Sequence, residues 1–171
     1  LSTKIGKACY IPVGHNSDKC LNKVDVLKKI KPLLEDPSIK KIGQNIKFDF
    51  IIFYKNGINL NSMEDTMLMS YVLDAGKNRH NMDILSEIHL DHKTIKFKDI
   101  VGTGKKEINF SEVEIEKAKD YAAEDADITY RLYKKFLKNL KSEKLINIYE
   151  IFEKPMIAIL AFMEMEGIKV D

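Results

Sequence analysis

The stretch SEVEIEKAKDYAAEDADITYRLYKKFLKNLK, residues 111–141, decides how the chain is read. Ala118, Ala122, Ile128, Leu132, Phe136 and Leu140 recur through it at helical spacing, the apolar stripe that a long helix turns toward a core. Asp125 falls in the same stripe, three residues from both Ala122 and Ile128. A carboxylate on the inward side of a helix is costly unless something pairs with it. Four residues turn a helix through about 400°, so Tyr121 lies about 40° from Asp125 on one face. Asp127, about 200° away, is expected to face water, and Glu124, about 100° away, to sit at the edge. An inward carboxylate with a phenol one turn before it suits metal binding, the phenol positioning a water. It suits as well a buried acid bonded to a neighbouring backbone amide.

Upstream of this helix, residues 7–14 (KACYIPVG) read as a strand, and residues 18–36 as a helix that Pro32 kinks or divides. IKKIGQN is a short strand running into a turn. NIKFDFIIFYKNG is a helix that Asn45 can cap and Asn56-Gly57 stops. A brief extended segment then leads to a helix with Asp65 at its N-cap, and Asn81 caps the next. Residues 91–111 are loop-like, and residues 145–167 are helical again with Pro155 inside. Early strands followed by many helices indicate an α/β domain, although few strands are visible for a central sheet. Asp49, in the first turn of its helix, is either a complement to the helix N-terminus or a second inward acid.

At 44% hydrophobic and 32% charged, the chain is a globular composition long enough for a real core. Its longest apolar runs are too short to span a bilayer, no leader opens it, and a cytoplasmic location is expected. Leu1 is not an initiator Met, so a fragment or processed product is expected. Cys9 and Cys20 lack metal-ligand spacing and read as free thiols. The net charge of +2 argues for no partner. GTGKK at residues 102–106 lacks the first Gly and the Ser or Thr of a phosphate-binding loop and reads as a flexible basic loop. His89 and His92, three apart, have no further ligands near them in sequence.

GQNIKFDF followed by YAAEDAD resembles the second and third motifs of the 3′–5′ proofreading exonuclease domain of bacterial DNA polymerase I, a DEDDy nuclease of RNase H-like fold. CYIPVGH, IKPLLED, DTMLMSYVLD, RHNMDILSEIHLDHKTIKFKDIVGTGK and EKPMIAILAFMEMEGIKVD have counterparts there in the same order, so the resemblance covers essentially the whole chain. It implies an RNase H-like α/β fold, a mixed sheet flanked by helices. Residues 1–150 would form the exonuclease domain, and residues 151–171 a helical lead-in to a polymerase domain of the same parent chain.

The resemblance also implies roles. Asp49 matches the second-motif aspartate, which reaches the second of two divalent ions, Mg²⁺ or Mn²⁺, and Asp125 the third-motif aspartate, a ligand of the first; Tyr121 matches the tyrosine that orients the attacking water. Gln44, Asn45, Phe48, Arg79 and Phe97 match positions lining the path of the single-stranded DNA 3′ end, with Phe97 stacking on a base or else serving as a loop core residue, and Arg79 holding a phosphate. The implied chemistry is two-metal hydrolysis of the terminal phosphodiester in DNA replication and repair.

The family's first motif is an Asp-x-Glu on the opening strand, and no Asp-x-Glu occurs in these 171 residues. The counterpart of Leu1 lies beyond that motif, so the chain is expected to lack the first strand and most of the second. Turnover would then be weak, and the incomplete sheet offers an edge for self-association. The alternative is a catalytically inactive exonuclease-like domain that binds single-stranded DNA or supports the polymerase. An RNA-trimming relative fits less well with the polymerase-like tail.

Overall fold

β1 (Ser2–Lys4) and β2 (Lys7–Ala8) pair antiparallel around Gly6, whose φ of +74° suits a residue without Cβ. The structure, a computed structural model, describes residues 1–169, the Lys105 side chain excepted. The strand expected over residues 7–14 ends at Ala8. Pro12 has no N–H to give a ladder, and the segment that follows is tied instead by the Asn16 N–H to the Ser111 carbonyl at 2.8 Å and by His15 Nδ1 to the Val113 carbonyl at 3.0 Å. α1 (Lys23–Glu35) starts where Asn22 Oδ1 accepts the Val24 N–H at 2.9 Å, and it carries Pro32 inside without being divided.

A parallel β-α-β unit follows: β3 (Lys41–Gly43), α2 (Lys47–Lys55) and β4 (Met63–Asp65), paired in register from Lys41 with Met63 to Gly43 with Asp65. α2 stops at Asn56 and Gly57, as read from the sequence. The start of α2 differs from expectation. Its N-cap is Ile46, which offers no side-chain bond, and Asn45 stands outside the helix at φ +60°. The amides of both are taken instead by a carboxylate from the end of β4.

α3 (Thr66–Asp74) and α4 (Met82–Leu90) are capped by Asp65 and Asn81, as their sequences indicate. The segment read as loop contains a short helix, α5 (Phe97–Val101), too brief to show a helical period. α6 (Ile115–Ser142) is the long helix of the opening stretch. α7 (Ile146–Ile148) passes through a π-helical turn at Tyr149–Glu153 into α8 (Lys154–Glu166). Pro155, which has no N–H to donate backward, sits at the start of α8 just after that turn.

The architecture is mixed α/β, as expected, but the strands do not form one sheet. β1–β2 and β3–β4 are separate two-stranded sheets among the described residues, and both lie against α6. In the inward stripe of α6, Ala118, Ile128, Leu132, Phe136 and Leu140 are fully buried and Ala122 is partly buried. Ile128, Leu132, Phe136 and Leu140, with Tyr133, pack on Met69 of α3, Leu85 of α4 and Tyr149. Truncating a residue such as Phe136 there would cost about 3–5 kcal/mol. A second cluster joins Ile46 and Phe50 to Leu60 and to Ile157 and Ala161 of α8. A third sets Val101 and Val113 against Ala118. No helix among the described residues is long and apolar enough to cross a membrane.

Candidate active site

Asp125 and Tyr121 stand one turn apart on α6, both partly buried. The Asp125 carboxyl is pushed up from 3.8 to about 6, first by burial and then by the charges of Glu124 and Asp83, while Tyr121 pulls it down. Burial and the neighbouring Asp125 charge push the Tyr121 hydroxyl well above 10, so it stays protonated at any working pH. The Tyr121 hydroxyl faces the Asp125 carboxylate, a contact that favours the charged form of the acid. Oδ1 of Asp125 is buried with no partner among the described residues. The backbone-amide partner that would make Asp125 a satisfied core acid is therefore not there for this oxygen. An orphaned, half-buried carboxylate oxygen is what a cation or an ordered water would complete.

Aromatic rings border this pair. Phe97, 49% exposed at the start of α5, has its ring 6.0 Å from both Phe110 and Tyr121. It is thus neither a core residue nor a free one: one face leans on the cluster and the other meets solvent. The segment that leads into it is pinned from α6. Glu124 accepts the Ile95 N–H at 2.6 Å and pairs with His92 Nε2 at 2.7 Å. Glu124 was expected only to mark the helix edge, and no local pattern announces a bond to a loop about thirty residues upstream. Thr94 adds a bond to Asp83 at 2.6 Å. Asp127, expected in water, is instead covered by the β1–β2 hairpin: it accepts the Gly6 N–H at 2.7 Å and pairs with Arg131 at 2.6 Å. A helix can bury two faces, and periodicity shows only the apolar one. His89 turns to the Phe136 ring, so the two histidines of HLDH face different neighbours.

The second group of candidates lies at the β3–α2 junction. Gln44 donates from Nε2 to the His80 carbonyl at 2.8 Å, which ties the turn to the loop that carries Arg79. Arg79 itself is exposed. Phe48, 63% exposed, and Asp49 occupy the first turn of α2. Asp49 reaches solvent yet is crowded by protein; that crowding and the Asp65 charge raise its carboxyl, and contact with water moderates the effect. Behind them sits Asp65, 1% exposed, holding the Asn45 and Ile46 amides at 3.0 Å each. Its neighbour Glu64, equally buried, meets Lys40 at 3.0 Å, Lys154 at 2.9 Å and the Tyr149 hydroxyl at 3.1 Å.

The charge acting on Asp49 comes from Asp65, and those acting on Asp125 from Glu124 and Asp83. No three His, Cys, Asp or Glu side chains converge as a metal-binding set among the described residues. Hard divalent ions take six or more oxygen ligands, several of them carboxylate or water. Asp125 and Asp49 fit such ions in kind, and the unpartnered Oδ1 of Asp125 fits one in position, but the set falls short in number for two ions.

A family model described as 3′–5′ exonuclease matches residues 1–141. DNA polymerase I of Rhizobium leguminosarum is 43% identical over 180 residues, which is 99% of this chain and 18% of that protein. DNA polymerase I of Pseudomonas aeruginosa is 40% identical over 177 residues, 99% of this chain and 19% of that protein. The corresponding protein of Borreliella burgdorferi is 36% identical over 172 residues, 100% of this chain and 18% of that protein. The chain thus spans about a fifth of the length of these relatives. Among solved structures, the POL domain of Pol1 from M. smegmatis in complex with DNA primer-template and dNTP matches with a TM-score of 0.70 at 20% identity, over 91% of this chain and 24% of that one. At that identity the likeness speaks for the fold.

Proposed function

The chain belongs to the 3′–5′ exonuclease family, the family of domain that its DNA polymerase I relatives contain, and on that premise we propose that it trims the 3′ end of single-stranded or frayed DNA for a polymerase domain of the same bacterial polypeptide. The observation that carries the proposal is the Tyr121–Asp125 pair on α6. It combines a phenol that stays protonated, a carboxylate with an unpartnered buried oxygen, and a half-exposed ring at Phe97 beside them. Packing alone gives no reason to keep that oxygen unsatisfied in the apolar stripe of a helix.

In this reading each group has a task its surroundings suit. Phe97 and Phe48 present ring faces to solvent on which unpaired terminal bases stack, and Arg79 holds a phosphate. Tyr121, protonated, donates or accepts a hydrogen bond to orient the attacking water rather than removing its proton. Asp125 is ionised above about pH 6, where it can serve a cation. Asp49 and Asp125 would each contribute a ligand to Mg²⁺ or Mn²⁺, which when bound acidifies water and offsets charge on the phosphate. A paired terminus cannot offer its bases to Phe48 or Phe97, which favours a frayed, mismatched end.

A second reading, a DNA-holding domain without hydrolysis, is favoured by one observation: no three His, Cys, Asp or Glu side chains among the described residues form a metal-binding set. One experiment separates the two. A 5′-labelled single-stranded oligonucleotide is incubated with the chain and Mn²⁺ or Mg²⁺, beside Asp125→Asn and a chelator control. A ladder shortening from the 3′ end, lost in both controls, supports the exonuclease. Binding without any ladder supports the holding domain, and neither binding nor cleavage removes both.

A further inference from the structure

Asp65 ends β4 and caps α3, yet it does more than a cap requires. Its carboxylate accepts Met67 N–H at 2.8 Å and Leu68 N–H at 3.4 Å, the ordinary work of an N-cap. The same Oδ1 also accepts Asn45 N–H, and Oδ2 accepts Ile46 N–H, both at 3.0 Å. These last bonds add nothing to α3 and reach a segment about twenty residues upstream.

That segment depends on outside support. Asn45 adopts a left-handed backbone at φ +60°, a region that few residues other than glycine, asparagine and aspartate enter. Ile46 opens α2 with no side-chain cap of its own. The turn is also closed tightly, since a Cβ on Gly43 would stand 2.8 Å from Ile46 Cβ and Cγ1. Thr66, fully buried next to Asp65, reaches the Gly43 carbonyl at 3.1 Å and Gln44 Oε1 at 2.5 Å from the other side.

We propose that Asp65 is a positioning residue for residues 44–49: one buried carboxylate, shared between the N-termini of two helices, fixes where α2 presents Phe48 and Asp49. The inference rests on the exonuclease reading for what Phe48 and Asp49 do there. The geometry makes the carboxylate hard to replace. An asparagine keeps one acceptor oxygen for four N–H donors and turns its own N–H₂ toward at least one of them. The turn would have to open, and with it the first turn of α2. Thr66 acts on the same turn without touching the α3 cap, so the two residues can be separated.

The test uses the whole chain and three variants. Asp65→Asn removes the shared acceptor; Thr66→Val loosens the turn while leaving the carboxylate in place; Asn22→Ala removes an unrelated cap, on α1, as the control. Amide ¹H–¹⁵N shifts and hydrogen exchange are followed together with binding of labelled oligo(dT) in chelator. The expected result is that Asn45, Ile46, Phe48 and Asp49 shift and exchange faster in the first two variants, with affinity down about tenfold at equal folded fraction. Asn22→Ala should change neither. The proposal is overturned if Asp65→Asn disturbs only Met67 and Leu68, or if residues 45–49 move and affinity holds within about twofold. If Asp65→Asn does not fold, Asp65→Ser, which keeps a cap on α3 but is too short to serve residues 45 and 46 as well, decides by the same criteria. A wild-type chain that ignores oligo(dT) would sink the exonuclease reading instead, and the amide shifts would still decide the positioning.

Discussion

Replacing Asp125 with asparagine should stabilise the protein, and only above a definable pH. The carboxyl titrates near 6 against an ordinary 3.8, chiefly because burial disfavours its charge. The folded state therefore keeps a proton that the unfolded chain has already released. Wild-type stability from this group is fully present below about pH 4, falls as pH rises to about 6, and stays lost above that. At about 1.4 kcal/mol per pKa unit, the span from 3.8 to about 6 amounts to about 3 kcal/mol. The side chain keeps some contact with water, which brings the expected figure down to about 1–2 kcal/mol. Urea denaturation of wild type and Asp125→Asn, in chelator and from about pH 4 to about pH 8, measures it directly. The two should coincide at the acid end and separate by neutrality, the asparagine variant ahead. A gap that stays constant across the range, or a wild type more stable than the variant at pH 8 in chelator, would show that Asp125 is not an uncompensated charge.

Three further outcomes are expected. Tyr121→Phe should cost no more than about 1 kcal/mol, the net worth of the one contact its hydroxyl makes with Asp125, while cleavage of the 3′ end slows by about 100-fold or more; a large loss of stability would make Tyr121 a structural residue. Glu64→Gln keeps the shape of a side chain buried to 1% exposure but removes the charge facing Lys40 and Lys154, at a cost of about 2–3 kcal/mol in a denaturant titration. A cost under about 0.5 kcal/mol would mean that the two partly exposed lysines are satisfied by water. Phe97→Ala should weaken binding of a short single strand by about five- to tenfold, about 1 kcal/mol for one lost stacking face, and an unchanged Kd would leave Phe97 as support for Phe110 and Tyr121.

How much of this was legible in the sequence depends on how local each feature is. α6 is long enough to show many repeats of its apolar period, and its buried face is the one read from the sequence. Asp65 and Asn81 announce their helices because a cap acts on the two or three residues that follow. What failed was nonlocal. Asn45 looks like a cap in its own stretch, but the amides there are met by a carboxylate about twenty residues downstream. The KACYIPVG segment has strand composition, yet a strand exists only where a partner offers a ladder, and that partner extends only over residues 2–4. α5 was missed because five residues cannot display a period. At the site, Asp125 and Tyr121 could be placed on one face by spacing alone, whereas Asp83 and the His92–Glu124 contact needed the fold to bring α4 and its following loop against α6.

The π-helical turn at Tyr149–Glu153 sets the rotational phase of everything after it. From Tyr149 to Ile157 is eight residues, which an unbroken α-helix would carry to about 80° off the starting direction. The wider turn absorbs roughly one residue, or about 100°, so Tyr149 and Ile157 end within about 20° of each other, both buried. Tyr149 thereby faces Glu64 and the Asp65 amide while Ile157 and Ala161 face Phe50 and Leu60. The π-turn works as a one-tooth gear between two cores. Straightening it into regular α-helix without losing a residue would swing the face of α8 about 100° away from α2, whereas deleting the one extra residue leaves seven between Tyr149 and Ile157 and keeps that face within about 20°. In this segment the phase of the helix, not its residue count, holds the two cores in line.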